Sequence, residues 1–351
     1  MRIELPNIFQ CMFTIKPVTD TAWDDFVLGQ EQSLFVQSSS YGVFYEAMGE
    51  NYFILGLYQD EQLVGGSLIV TTHAKRGNFL YLPYGPLLPE DGRDEAFLLF
   101  TQELRSVARR DGYAFVRVSP FLQETDDICM LFQKSGFRRA PMHVLAETTW
   151  LLNVQHRQDV LLSGMKKNHR NLIHRCEKEG VVILQTTDSE QLGILNDMLD
   201  ETERRHHFVR FPRAYVNAEF DIFSKKGNAL LFLARLPDGR YDAAAVIMFF
   251  GNMAVYRHSA SLNLDKRLPT SYLIQWRVIQ EAKKRGMTYY NFWGISPQDA
   301  HRLHPFMGIT HFKKGFGGYQ RDVLPCQDLV ISKWYWLNWI VEKMRSMRRG
   351  F

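Results

Sequence analysis

Cysteine is scarce and scattered. Cys11, Cys129, Cys176 and Cys326 lie far apart and match no metal-ligand spacing, which excludes a disulfide-stapled scaffold and fits a reducing cytoplasm. No uninterrupted apolar run reaches the roughly 18 residues of a membrane span. The N-terminus lacks a basic region leading into an apolar stretch, so no signal peptide is expected. Neither sign of charge dominates: 42 Lys and Arg against 38 Asp and Glu leave +4, too little to indicate nucleic acid by itself. Long heptad tracts, low-complexity linkers and Ser-His-Asp or Cys-His signatures are also missing. Adjacent histidines at His206-His207 have no carboxylate pattern beside them, so no metal is expected. What is present is 351 residues with 46% hydrophobic and 23% charged content, enough for two ordinary soluble domains with a core each.

The patterning repeats. In the first half, Tyr52 to Tyr58 and Leu63 to Thr72 are β-rich runs around a polar turn, a hairpin signal. Asp94 to Arg110 has helical spacing and stops at Asp111-Gly112; Phe115 to Val118 is the next strand, and Leu131 to Gly136 a short helix. In the second half, Gln158 to Glu179 reads as a basic helix and Asp188 to Arg205 as another. Ala229 to Leu236 and Ala243 to Phe250 form a hairpin, Met253 to Ala260 a third strand, Ser271 to Arg285 a helix and Tyr289 to Phe292 a strand. This predicts an α/β (α+β) chain of two tandem GNAT/acetyltransferase-like domains with a C-terminal helix. The expected boundaries are 1–155, 156–320 and 321–351.

Four stretches carry chemistry. Phe312-Lys313-Lys314-Gly315-Phe316-Gly317-Gly318 sets two lysines against apolar surface among glycines that permit close backbone approach, so a cation could meet a phosphate or an oxyanion. Arg204 to Tyr215 holds four arginines suited to bidentate phosphate binding, or else a solvated face. The helix carrying Lys166, Lys167, Arg170 and Arg175 is basic and could meet RNA phosphates. Between Ser332 and Gly350, Trp334, Leu337, Ile340, Val341, Met344 and Met347 share a helical stripe among Lys333, Lys343, Arg345, Arg348 and Arg349. Such a helix could lie on an anionic membrane, dock its tryptophans into the first domain, or do both.

Together these stretches resemble the FemABX family of peptidoglycan-bridge aminoacyltransferases, in its compact FemX-like type without a helical arm. The resemblance is densest from Met165 to Gly318: Met165-Lys166-Lys167-Asn168-His169-Arg170, Val255 to Ala260, Leu268 to Trp276, Phe292-Trp293-Gly294-Ile295-Ser296-Pro297, and Pro305-x-x-Gly308-Ile309-x-x-Phe312-Lys313. Tyr84-Gly85-Pro86 matches a family turn. The resemblance implies transfer of an amino acid from aminoacyl-tRNA, a co-substrate in place of any cofactor, to an amine of a UDP-linked or lipid-linked muropeptide. The protein would be cytoplasmic, and the amphipathic pattern of its C-terminal helix, independently of the resemblance, could bring it to the inner face of the membrane.

By that resemblance Lys313, with Phe312, is the catalytic candidate, acting at the tRNA end or on developing negative charge. Tyr256 matches a tyrosine of the precursor cleft. Arg210 or Arg213, with Tyr215, would hold the acceptor's diphosphate. Lys314, Gly315, Gly317 and Trp293 complete the substrate-binding set, and Lys166, Lys167, Arg170 and Arg175 are candidates for tRNA contact. Two departures stand out: Phe44 occupies the position of a family lysine, and Ser119 precedes Pro120 where members often have aspartate. Two rivals therefore stay open. One is an acyl-CoA N-acyltransferase, although no Q/R-x-x-G-x-G/A run opens a helix in either half. The other is a non-catalytic nucleotide-binding or membrane-adaptor protein.

Overall fold

The computed structural model describes residues 13–73, 77–206, 209–297 and 306–349. His207 and Phe208 of the arginine cluster and Pro305 of the glycine-motif region lie outside the described residues.

The chain forms two seven-stranded mixed sheets. The first contains β1 (Phe13–Pro17), β2 (Tyr52–Gln59), β3 (Gln62–Thr72), β4 (Phe79–Tyr84), β5 (Phe115–Pro120) and β6 (Phe137–Arg139). Around it pack α1 (Asp20–Leu28), α2 (Ser39–Ala47), α3 (Arg93–Arg110) and α4 (Asp126–Lys134). The chain then runs through β7 (Thr148–Asn153), α5 (Gln158–Ser163), α6 (Lys167–Lys178), β8 (Val182–Thr186), α7 (Leu192–His206) and α8 (Arg213–Lys225). It continues with β9 (Ala229–Arg235), β10 (Tyr241–Phe250), β11 (Met253–Ser261), α9 (Thr270–Lys284), β12 (Tyr289–Gly294), α10 (Met307–Lys314) and β13 (Tyr319–Asp322). β14 (Gln327–Val330) and α11 (Tyr335–Arg349) close it.

Strands cross between the halves. The second sheet runs β13-β7-β12-β11-β10-β9-β8, so it includes β7, which lies before the expected boundary at 155/156. β14, from the expected C-terminal segment, returns to the first sheet between β5 and β6. The halves also share one hydrophobic core, in which Trp23, Phe35, Tyr41 and Phe44 meet Leu195, Phe220, Phe223 and Val246. Asn252, at the β10–β11 turn, accepts from Ser33 N at 3.1 Å and donates to Glu31 O at 2.6 Å. Two packed layers of sheet and helix in each half are thus joined by exchanged strands and a common core.

Several elements differ from the sequence reading. The basic stretch from Gln158 splits into α5 and α6 at Gly164, whose carbonyl oxygen would lie 3.3 Å from a Cβ placed on Gly317. α8 begins inside the arginine cluster, immediately after Pro212, whose fixed φ suits a helix entry. The two lysines of the glycine motif end helix α10, an element the sequence reading did not include. At the C-terminus, α11 docks through Tyr335 and the partly buried Trp339, while Trp334 and Trp336 stay outside, so tryptophan docking as expected from sequence is only partial. Its anchor is a buried ion cluster: Arg117 on β5 donates to both oxygens of Asp328 on β14 at 2.8 Å, and to Glu342 on α11 at 2.9 and 2.7 Å.

Candidate active site

In the second sheet β11 and β12 run parallel, yet they pair over only three positions, Met253↔Tyr289, Ala254↔Tyr290 and Val255↔Asn291. Beyond these the two strands separate, because each carries an irregularity facing the gap. On β11 the register with β10 jumps from Val246↔His258 to Ile247↔Tyr256, leaving Arg257 as the extra residue of a bulge. On β12 the register with β7 slips between Asn291 and Gly294. Within that slip Trp293 holds φ at +66°, a left-handed conformation rare for so bulky a side chain, with its N–H donating to Asn291 Oδ1 at 2.7 Å. The gap is an open cavity of about 310 Å³, walled by Tyr256, Arg257, His258, Ser259, Trp293, Arg210, Phe211, Ile309 and Lys313.

The bulge explains the electrostatics. Neighbouring strand residues ordinarily face opposite sides, but an inserted residue re-aims one of them. Arg257 and His258 consequently both reach Glu219 on α8: Arg257 Nη2 donates at 2.9 Å, and His258 Nε2 lies 2.6 Å from the other carboxylate oxygen. Glu219 is fully buried. Burial alone would raise its pKa, but Arg257 and His258 outweigh it and hold it at about 2. Burial lowers the His258 pKa despite the nearby carboxylate. We therefore assign His258 as neutral, donating Nε2–H to Glu219 and leaving Nδ1 as an acceptor. The Arg257 guanidinium lies among rings, 5.6 Å from Phe35, 5.7 Å from Phe211 and 5.5 Å from Trp293, and donates to Tyr215 Oη at 3.1 Å.

Lys313 comes in from the opposite wall. As part of the last turn of α10 it is buried, with Nζ donating to Gly294 O at 2.6 Å and lying 5.9 Å from the Tyr256 ring. Among the described residues no carboxylate pairs with it. Desolvation pulls its pKa from 10.5 to about 7. An anion entering the cavity would reverse that shift, so binding itself would recruit the charge.

Four of the residues read from the sequence thus meet at one cavity: Lys313, Tyr256, Arg210 and Trp293. The spacing left Arg210 and Arg213 equal; the geometry separates them. Arg210 is buried on the cavity wall, fixed by Asp200 Oδ1 at 2.6 Å and Asn196 Oδ1 at 2.6 Å. Arg213 is half exposed, bound to Asp197 and Asp200, and outside the lining. Tyr215 stands behind the wall, stacked on Phe211 at 4.5 Å and packed edge-on against Phe44 at 4.7 Å. Phe44, which the sequence resemblance sets against a family lysine, is fully buried, and Ser119 is also buried, 3.4 Å from Tyr81 Oη.

The remaining motif residues support α10 instead of lining the cavity. Phe312 packs edge-on with Tyr272 at 4.9 Å and Phe316 at 5.2 Å. Lys314 sits 5.0 Å from the Trp150 ring and donates to Gln320 Oε1. Gly315 has no room for a side chain: a Cβ would lie 2.0 Å from the His169 ring of α6. Gly317 takes φ of +84°. His169 Nε2 meets Phe312 O at 3.0 Å and Lys166 N donates to Gly315 O at 2.9 Å, so the start of the basic helix abuts the lysine motif. There Lys166, Lys167 and Arg175 are exposed, whereas Arg170 turns back to donate to the carbonyls of Ser163 and Met165.

Sequence reasoning missed Glu219 and the roles of Arg257 and His258. The available signal was Tyr215 and Glu219 at i, i+4, on one helix face beneath a strand with adjacent Arg and His.

A model of the FemAB family matches residues 18–243 and 238–342. The chain is 18% identical to a Lipid II:glycine glycyltransferase of Staphylococcus aureus over 313 residues, covering 68% of this chain and 74% of that protein. The crystal structure of FemX superposes with a TM-score of 0.82 at 16% identity, over 94% of this chain and 100% of FemX. A tandem GNAT protein from the clavulanic acid biosynthesis pathway has the same kind of fold at a TM-score of 0.53 and 13% identity, over 92% of this chain and 99% of that protein.

Proposed function

Because the chain belongs to the FemAB family, we propose that it transfers an amino acid from aminoacyl-tRNA to an amine of a lipid-linked peptidoglycan precursor. It is an aminoacyltransferase built from two GNAT-like halves, and its chemistry belongs to bridge formation on peptidoglycan. The lipid-linked acceptor rests on likeness to the glycyltransferase named for lipid II, and it would bring the enzyme to a membrane surface. The observation that carries the reading is Lys313: a buried amine donating to Gly294 O, without a carboxylate partner among the described residues, on the wall of the gap between β11 and β12, where desolvation pulls its pKa down to about 7.

The donor ester is already activated, so catalysis is mainly positioning and charge stabilisation. The acceptor amine attacks the ester carbonyl carbon; a C–N bond forms and the ester C–O bond breaks. The proton released by the amine ends on the ribose oxygen of the departing tRNA. Lys313, protonated once the donor is in place, stabilises the oxyanion of the tetrahedral intermediate or the terminal phosphate. His258, oriented by Glu219, is a wall group able to hold the amine's proton in passing. Arg210 and Arg257 give the acceptor's phosphates a basic wall beside the neutral Tyr256 phenol, and exposed Lys166 and Lys167 extend positive charge from Gly315 toward the tRNA.

The test uses a charged total tRNA pool with radiolabelled amino acids, presented with lipid-linked and UDP-linked muropeptides. Label should pass to the lipid-linked precursor and name the amino acid. No transfer to either, with an active control enzyme, would overturn the reading, and acylation from acyl-CoA would replace it.

A further inference from the structure

Among the described residues, exposed large apolar side chains gather at two places: Val209, Phe211 and Ile309 at the cavity, and a larger group at the C-terminal helix. Trp334, Trp336, Leu337, Ile340, Met344 and Met347 all lie on or beside α11, with Leu337 53% and Met347 66% exposed. At helical spacing Leu337, Ile340, Met344 and Met347 form one stripe. Tyr335, Asn338 and Glu342 occupy the opposite face and point inward. The stripe is therefore not an undocked core face: the helix is already seated by Arg117, Asp328 and Glu342, and this is its outward side.

We infer that the outward face of α11 is an interfacial surface that lays the protein on an anionic lipid bilayer. Charge selects this occupant. Exposed Lys343 and Arg345 fall on either flank of the stripe, where their alkyl stems can run along the apolar surface while their charges reach headgroups. Lys333 is exposed at the start of the helix, and Arg138 of β6 sits 4.6 Å from the Trp336 ring, adding a cation beside it. The only carboxylate of α11, Glu342, is turned inward and bound to Arg117. An apolar stripe flanked by cations, with tryptophans at one end, matches a bilayer interface; among the described residues no helix is long and apolar enough to cross one. The inference stands apart from the transfer reading, because it is tested without donor or acceptor.

The full chain is floated with vesicles of phosphatidylcholine alone, or of phosphatidylcholine mixed with phosphatidylglycerol. Wild type should rise with the anionic vesicles and stay behind with the neutral ones, and added salt should weaken binding. Leu337→Glu with Ile340→Glu, or Lys343→Glu with Arg345→Glu, should each reduce partition by about tenfold or more with the melting temperature unchanged. Absence of wild-type flotation, or flotation untouched by both pairs of substitutions, would overturn the inference. So would a dimer in lipid-free solution that the Leu337→Glu and Ile340→Glu pair converts to monomer, since the face would then join two copies of this chain.

Discussion

Among the described residues each sheet contains one parallel strand pair and one arginine with a buried guanidinium, and the two halves use them in opposite ways. In the first sheet β4 and β5 stay paired over six positions, from Phe79↔Phe115 to Tyr84↔Pro120. Arg117 there is held by two carboxylates, Asp328 and Glu342, and ties down the C-terminal helix. In the second sheet β11 and β12 part after three positions, and Arg257, left over by a bulge, shares the single carboxylate of Glu219 with His258 and faces a cavity. The same strand arrangement thus gives a closed structural joint in one half and an open site in the other. The two bulges decide which.

Substitutions can break that contrast. Glu219→Ala should have the largest effect on stability, about 3–5 kcal/mol, because Arg257 is left buried without a counter-charge. Asp328→Ala, its counterpart in the closed joint, should lose less, since Glu342 still accepts from Arg117; thermal denaturation of both variants measures the gap. Lys313→Met should lower kcat/KM by about 10²–10³-fold. Measured by denaturant unfolding at pH 7, the same variant should gain about 1–3 kcal/mol by removing a desolvated amine. Between pH 7 and 10.5 the unfolded chain holds the Lys313 proton that the folded chain has lost, so wild-type stability from this group rises with pH through that window. The advantage of Lys313→Met must shrink accordingly.

The sequence made the repeat visible because hairpins and helices carry their own periodicities, as in β2–β3 and β9–β10. It showed Lys313 and Tyr256 through motif resemblance. It concealed the exchange of β7 and β14, because short strands with long-range partners leave no local pattern. It concealed Glu219 for a related reason: its partners lie across the fold, and the bulge that turns Arg257 toward it is a property of pairing, which composition does not record. Phe44 and Ser119 were readable as departures, and their burial shows both positions given over to packing.

Smaller effects sharpen the site further. Gly315→Ala should destabilise by about 1–3 kcal/mol through collision with His169, and pairing it with His169→Ala should recover part of that loss in a double-mutant cycle. Arg213→Ala, which alters a half-exposed ion pair outside the cavity, should change acceptor KM less than Arg210→Ala does and cost at most about 1 kcal/mol of stability.

The central claim, that desolvation in the empty cleft holds the Lys313 pKa down near 7 and the donor raises it, is tested by proton uptake when aminoacyl-tRNA binds, followed from pH 6 to pH 9 in wild type and Lys313→Met. The account predicts uptake of about half a proton near pH 7, rising toward one above about pH 8, fading below pH 7 and absent from the variant. Equal uptake in both proteins, or none in either while donor binding is intact, would contradict it.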